Sequence, residues 1–247
     1  MEKSLALSLA VFLAFVPASL FAQAFLDVES GVAFTGYNDV RIPSETGDLI
    51  SLKSDTDSAP AYALRVRAGY TFGGRHTVLA LAAPLSVYGS GVLDRDIDYQ
   101  GKTFLAGTEV SSLYRFDSFR LSYRYAFVKN DSLVLAAGLT GKLRSADIAI
   151  WSDTAYAHRS DLGVVPLVSL LAEWRFAGPF SLLLDADALA TPFGRAEDAL
   201  LALQFHASDR AAARIGYRVL EGGSEGGGNV YTFALFHYLT AGLTVRF

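Results

Sequence analysis

Cysteine is absent from this 247-residue sequence, and methionine, tryptophan and histidine are scarce, with one, two and four copies. Without cysteine no disulfide can hold the fold, so hydrogen bonds and burial must do so. Four scattered histidines give no metal-site spacing, and we expect neither a metal nor another cofactor. The formal net charge of −4 argues against a nucleic-acid partner.

Beyond its first 24 residues the sequence lacks any stretch of about 18 residues free of charges and turn residues, which excludes helical membrane spans. At the start, Lys3 precedes an apolar stretch from Leu5 to Val16, and small residues lead to Ala22-Gln-Ala24. A charged start, a short apolar core and an A-x-A site are typical of a secretory signal peptide. We predict that residues 1–24 are removed on export and that residues 25–247 form one all-β domain.

Four short polar breaks divide this domain, at Gly73-Gly-Arg75, Lys129-Asn-Asp131, Ala177-Gly-Pro179 and Ser208-Asp-Arg210. Five longer stretches rich in glycine, serine and aspartate alternate with them, at about 38–60, 92–109, 150–159, 190–198 and 221–228. Short breaks between runs of alternating apolar residues predict hairpin turns. The sequence therefore predicts ten antiparallel strands, with four turns at one end and five loops at the other.

Along the predicted strands, arginines alternate with apolar residues. In the fourth, Phe119, Leu121 and Tyr123 alternate with Arg120 and Arg124. A membrane barrel turns apolar residues outward to lipid and polar residues inward, the reverse of a soluble sandwich. Five aromatic residues also end even-numbered strands at the turn side, which predicts an aromatic girdle there: Phe72, Phe127, Phe176, Phe205 and Phe247.

The last eight residues, Thr240-Ala-Gly-Leu-Thr-Val-Arg-Phe247, place Thr240, Gly242, Val245 and Phe247 in a recurrent order. This segment resembles the C-terminal β-signal of bacterial outer-membrane β-barrel proteins of Gram-negative type, although Val245 stands where a second aromatic is common. The resemblance implies a transmembrane, antiparallel, up-and-down barrel of about ten strands in the outer membrane. It also implies contact with outer-membrane lipid and lipopolysaccharide, and with the barrel assembly machinery and periplasmic chaperones during biogenesis.

The polar positions of the strands predict the lumen lining. The main candidates are Arg65, Arg67, Arg120, Arg124, Lys142, Arg144, Glu173, Arg175, Asp185, Asp187, Arg214 and Arg218, with Asp27, Glu29, Gln204, His206 and Arg246 beside them. Because lone buried charges are costly, we expect ion pairs inside a barrel this narrow. This favours a non-enzymatic outer-membrane protein with a structural or surface-binding role.

The same lining is also compatible with an alternative function as a channel, since its basic residues outnumber its acidic ones. A partly open positive lumen would pass anions or small acidic solutes, carried by Arg65, Arg67, Arg124, Arg214 and Arg218.

Two enzyme alternatives also stay open. His206-Ala-Ser208 resembles the H-x-S element of the outer-membrane lipid A deacylases, in which histidine activates a serine nucleophile. The omptin proteases are ten-stranded barrels with paired aspartates and an Asp–His dyad at the outer lip. The comparable outer positions here are those of Asp39, Asp94, His158 and Asp161.

Two outer stretches resemble ligand loops without completing them. Asp94-Arg-Asp-Ile-Asp98 begins like a calcium loop, but Tyr99 and Leu105 stand where glycine and glutamate are needed. The glycine-rich residues 221–229 lack the lysine of a phosphate loop. We expect a solvated acidic loop and a flexible outer loop. Acidic outer loops over a basic lumen suggest an inward-folding lid or a solvated surface.

Overall fold

The computed structural model describes residues 23–226 and 229–247, so most of the predicted signal peptide lies outside the described residues. Within them the chain is all β, and no helix is long and apolar enough to cross a membrane. The strands are β1 (Gln23–Arg41), β2 (Ile50–Ser51), β3 (Ala61–Phe72), β4 (His76–Ala83), β5 (Ser86–Val92), β6 (Ile97–Tyr99), β7 (Lys102–Phe104), β8 (Glu109–Lys129), β9 (Leu133–Trp151), β10 (Tyr156–Ala177), β11 (Phe180–Thr191), β12 (Gly194–His206), β13 (Ala211–Glu225) and β14 (Tyr231–Arg246).

The long strands form a closed antiparallel barrel. Each pairs with the next along the wall in the order β1, β3, β4, β8, β9, β10, β11, β12, β13 and β14, and β14 returns to pair with β1. The closing ladder runs from Phe25 opposite Arg246 to Arg41 opposite Tyr231. Since β4 and β5 occupy one wall position, the barrel has ten strands, and the predicted fold class is confirmed.

The break between β4 and β5 falls at Pro84. β4 pairs with β8 up to Ala83, and β5 resumes this pairing at Ser86. Proline has no N–H to donate to a ladder, so the strand is interrupted at Pro84, where such a donor would be needed. The Phe116 N–H donates to the Leu85 carbonyl across the break, 2.8 Å away, and keeps the wall continuous.

The four predicted turns join β3 to β4, β8 to β9, β10 to β11 and β12 to β13, and we call their side of the barrel the turn end. At the first of them, Gly73 and Gly74 both have positive φ, which glycine adopts without strain. Of the five predicted loops, only 38–60 and 92–109 remain long.

The other three loops lie where they are predicted but are shorter than predicted, because the flanking strands extend into them. β8, β9 and β10 have 21, 19 and 22 residues, and β11 turns into β12 within two residues. Backbone pairing between antiparallel neighbours holds these stretches extended despite their loop-like composition. β13 likewise runs through most of the glycine-rich segment to Glu225, and residues 227–228 lie outside the described residues.

The wall is apolar outside and charged inside. Leu121 and Leu139 are 63% and 69% exposed, whereas Arg120, which precedes Leu121 in β8, is nearly fully buried. An aqueous protein would turn these faces the other way. All five girdle aromatics of the turn end are exposed, as contact with a membrane boundary requires.

The two long outer segments fold inward over the opposite side, which we call the loop end. Residues 42–60 and 93–108 form this loop cap, and they bury Ile50, Ile97 and Phe104 against the inner wall. The Tyr99 hydroxyl donates to the Ile148 carbonyl over 2.9 Å, and burial raises the pKa of Tyr99. The lid interpretation fits this arrangement, although apolar residues rather than acidic ones make the contact.

Acidic residues hold the loop cap together from outside. Arg95 Nη2 lies 2.9 Å from Asp55 Oδ2, and this hydrogen bond raises the pKa of Arg95. Asp48 accepts the Asp98 N–H and Asp96 accepts the Ala106 N–H, each over 2.7 Å. Asp55 and Asp48 therefore join the two segments, whereas Asp96 stabilises the second segment internally.

The outward apolar band yields a stability prediction. Replacing Leu121 by arginine puts a charge near the bilayer midplane, and we expect it to lower the free energy of unfolding by about 2–4 kcal/mol. The measurement is urea unfolding of the protein folded into phospholipid vesicles. Val92→Arg, at the exposed loop end of β5, is the control and should change stability by less than about 1 kcal/mol. Equal effects at the two positions would contradict a membrane-facing wall.

Candidate functional site

A continuous set of ion pairs crosses the barrel interior. Six arginines and five carboxylates take part, from β1, β3, β8, β11, β12 and β13. This lumen network consists of Asp27, Glu29, Arg65, Arg67, Arg120, Arg124, Asp185, Asp187, Asp198, Arg214 and Arg218. The side chains reach one another because strand alternation turns every second residue inward.

Asp198 is the centre of the lumen network. Its carboxylate lies 2.8 Å from Arg65 Nη2 and 2.6 Å from Arg120 Nη2, and it also pairs with Arg218. These partners come from β3, β8 and β13, so one side chain of β12 ties together distant parts of the wall. All four side chains are almost completely buried, where charge-assisted hydrogen bonds are strong and unpaired charges costly.

Two further groups extend the network. Glu29 accepts from Arg218 Nε over 2.7 Å and from Arg214 Nη2 over 2.9 Å. Asp185 pairs with Arg67 Nη1 at 2.7 Å and with Arg124 Nη2 at 2.5 Å.

Serine and threonine hydroxyls complete the coordination of the carboxylates. Asp187 accepts from Thr140 over 3.1 Å, and Thr244 donates to Asp27 over 2.5 Å. The arginine guanidinium groups can pair with several carboxylates of the network because they donate hydrogen bonds in several directions at once.

The other predicted lining residues lie outside the network. Lys142 and Arg144 are on the loop-end side of it, where Arg144 pairs with Asp161. Glu173 and Arg175 lie near the turn end, 3.7 Å apart and partly solvated. The predicted candidates are thus divided between a dry central layer and two flanking layers.

The lining predicted from the sequence does not include Asp198, because residues 190–198 are predicted to form a loop. The signal that identifies it is the two-residue period of β12, because every second residue of this strand is buried: Asp198, Leu200, Ala202 and Gln204. Asp198 and Asp161 also add negative charge that the predicted basic excess omitted.

A small polar cluster lies at the turn end. His206 Nε2 is 2.9 Å from Glu173 Oε1 and 3.0 Å from Ser181 Oγ. A catalytic relay needs two different ring nitrogens, one facing the serine and one facing the carboxylate. Here a single nitrogen meets both, and the histidine contacts Ser181 instead of Ser208.

At the loop end, the predicted outer residues are separated. His158 Nδ1 lies 3.1 Å from Asp147 Oδ1, Asp161 pairs with Arg144, and Asp94 pairs with Arg95. The carboxylates of the calcium-like run are used in loop-cap hydrogen bonds. In the described part of the chain, no group of three or more histidine, aspartate or glutamate residues is arranged to hold a metal.

The C-terminal segment has a place in the network as well as at the barrel edge. A Cβ atom on Gly242 would lie 2.6 Å from Arg214 Cζ, so the glycine leaves room for that guanidinium. Thr240 and Gly242 belong to the inward parity, whereas Val245 pairs beside Leu26. The Phe247 N–H donates to the Ala24 carbonyl over 2.9 Å, and its exposed ring lies at the turn end.

A cavity of about 590 Å³ lies between the lumen network and the loop end. Its walls come mainly from β8 to β14, and Ile42 at the edge of the loop cap also lines it. Its lining includes aromatic and aliphatic residues such as Phe116, Leu189 and Phe236. The charged residues of the lining are Lys142, Arg144, Arg159, Asp161, Arg195 and Glu221. The volume is in the range of small-molecule sites.

Known structures were compared with this architecture. The outer membrane protease OmpT from Escherichia coli aligns with a TM-score of 0.55 and 10% identity over 93% of this chain and 99% of that one. The fold is that of a bacterial outer-membrane β-barrel. At this identity the likeness concerns the fold alone.

Two other barrels align at lower scores. Ail of Yersinia pestis, in complex with the heparin analogue sucrose octasulfate, has a TM-score of 0.44 and 12% identity over 92% of this chain and 100% of that one. A major outer membrane protein from Thermus thermophilus has a TM-score of 0.39 and 12% identity over 91% and 99%. No protein-family model and no curated protein sequence matches the chain.

The position of Asp198 yields a second stability prediction. Asp198→Asn leaves three buried guanidinium groups short of a charge partner, and we expect a loss of about 3–5 kcal/mol in the free energy of unfolding. Glu197→Gln makes the same carboxylate-to-amide change at the neighbouring exposed position and should cost less than about 0.5 kcal/mol. Urea unfolding in vesicles measures both. Similar small effects would show that Asp198 does not hold the network.

Proposed function

We propose that this chain is an integral protein of the bacterial outer membrane that is closed to solutes and acts at the cell surface by binding, without catalysis. The turn end then faces the periplasm and the loop end faces outward, in the arrangement typical of such barrels. The observation that carries this proposal is the lumen network, whose side chains connect opposite walls and are almost wholly buried.

The network weighs against the channel alternative. Each of the five arginines assigned to a channel lies within ion-pair distance of a buried carboxylate. An ion would have to replace these contacts to pass, which costs several kcal/mol per uncovered charge. The cavity supports binding, since it is concave, partly apolar and open on the loop side of the network.

The enzyme alternatives find less support. For the deacylase alternative, Glu173 and Ser181 both contact the same nitrogen of His206. For the omptin alternative, His158 pairs with Asp147 and Asp161 pairs with Arg144, so the two residues do not form a dyad. Fold likeness to a protease carries no activity by itself.

Planar-bilayer conductance tests this function. We expect the refolded wild-type protein to give no discrete current steps, with folding checked by heat-modifiable gel migration. The double variant Arg67→Ser/Asp185→Ser removes a contact between opposite walls and should raise the conductance, which shows that an opened barrel is detectable. Anion-selective steps in the wild type, shifted by Arg214→Gln, would overturn the closed barrel and favour the channel.

A further inference from the structure

The barrel wall has an opening beside the cavity. β10 pairs with β9 from Tyr156 to Trp174, but it pairs with β11 only from Val168 onward. Residues 156–167 of β10 therefore have no strand partner on that side among the residues described. Pro166 has no N–H to give to such a ladder, and β11 already ends at Thr191. We call this gap between β10 and the β11–β12 hairpin the side opening.

Apolar residues surround the side opening. Leu162 and Val164 on β10 and Phe193 on the hairpin all contact the cavity, and Val164 and Phe193 are 77% and 79% exposed. Val164 lies about 25 Å along the barrel axis from Trp174 of the turn end, for a rise of about 3.3 Å per residue and a tilt of about 40°. This distance matches the apolar band of a membrane barrel. The side opening therefore lies at the outer boundary of the hydrocarbon layer.

The charges inside the cavity are unbalanced. Arg144 is paired with Asp161 and Arg195 with Glu221, but Lys142 and Arg159 have no carboxylate within ion-pair distance in the part of the chain described. Lys142 is 3% exposed, and its Nζ lies 4.6 Å from the Phe116 ring centroid. A buried ammonium group facing an aromatic ring, without an anion, is costly and is stabilised by any anion that enters.

We propose that the cavity binds an amphipathic anion, consisting of an acyl or aromatic body with a carboxylate or phosphate group, and that this ligand enters through the side opening. The anionic group would meet Lys142 and Arg159, and the body would lie against Phe116, Leu189 and Phe236. This inference rests on the proposed binding function, because the lumen network closes the cavity toward the periplasm. Such a ligand has two sources, a free amphiphile in solution or a lipid of the outer leaflet.

Binding of laurate to the protein in phosphatidylcholine nanodiscs tests the cavity. We expect saturable binding of one laurate per barrel by calorimetry, after subtraction of empty nanodiscs, and at least tenfold weaker binding of the neutral dodecanol. Lys142→Gln and Arg159→Gln should each weaken laurate binding about tenfold, which is the effect of losing one charged hydrogen bond. Ala146→Trp, which fills the cavity, should abolish it.

Matched changes outside the cavity serve as controls. Lys102→Gln on β7 and Arg210→Gln in a turn make the same substitutions at exposed positions and should leave laurate affinity unchanged. Equal laurate binding by wild type and Ala146→Trp, or no saturable binding of laurate, overturns the proposed site. Conductance of the same preparations separates the outcomes: a silent barrel without binding refutes the ligand alone, whereas a conducting barrel refutes the closed state.

A second experiment, with phosphatidic acid, distinguishes a lipid of the outer leaflet from a free amphiphile. Nanodiscs containing phosphatidic acid are exchanged into detergent, and native mass spectrometry counts the lipids retained. Retention by wild type and not by Ala146→Trp indicates a membrane lipid, and saturable laurate binding without retention indicates a free amphiphile. Both outcomes support the cavity.

The route has its own test, made simple by the absence of native cysteine. Val165 and Thr191 would face each other if the β10–β11 ladder continued, and both line the cavity. We expect Val165→Cys/Thr191→Cys, bridged by a bifunctional maleimide, to load laurate at least tenfold more slowly than the same variant unbridged. Each single cysteine variant, capped by a monofunctional maleimide, is the control. Unchanged loading after bridging overturns entry through the side opening.

Discussion

The pairing of buried guanidinium groups with buried carboxylates is the interaction on which this barrel depends. A ten-stranded wall encloses a lumen too wide to be filled by small side chains and too narrow for bulk water. Arginine has the length to reach the opposite wall and enough donors to bind two or three carboxylates there. Asp198, Glu29 and Asp185 supply the acceptors at the places where these side chains converge.

The layers of the interior follow from this central network. Toward the turn end, Leu183, Leu200 and Ala202 form a small apolar cluster next to the network, and Glu173 and His206 lie partly solvated beyond it. Toward the loop end the loop cap covers one side, whereas the short β11–β12 hairpin leaves the other side open. The cavity and the side opening thus arise because neighbouring strands differ in length.

Much of this architecture could be predicted from the sequence, since a period of two residues and the turn signals are local properties. The alternation of Arg120 and Arg124 with apolar residues predicted an inward charged face, and Gly73-Gly74 predicted a turn. Strand length above the membrane could not be predicted in this way, because polar residues in 150–159 and 190–198 read as loops although backbone pairing keeps them extended. For this reason, Asp198 is missing from the lumen lining predicted from the sequence.

The partners within the interior were also beyond local patterns. That Arg67 meets Asp185 depends on the number of strands and the stagger of the closed wall, which place β3 opposite β11. The apolar underside of the loop cap was hidden by the acidic residues around Ile50 and Ile97. The side opening becomes visible only when the β9–β10 and β10–β11 ladders are compared. In the sequence, Pro166 is its one signal.

The most direct test of the account is a double-mutant cycle between Arg67 and Asp185, which lie on opposite walls 2.7 Å apart. Arg67→Gln, Asp185→Asn and the double variant would be unfolded with urea in vesicles. If the walls are joined through the lumen, the coupling energy should be at least about 1.5 kcal/mol, as measured for close charge pairs elsewhere. Effects that add within about 0.5 kcal/mol would contradict a network that spans the barrel.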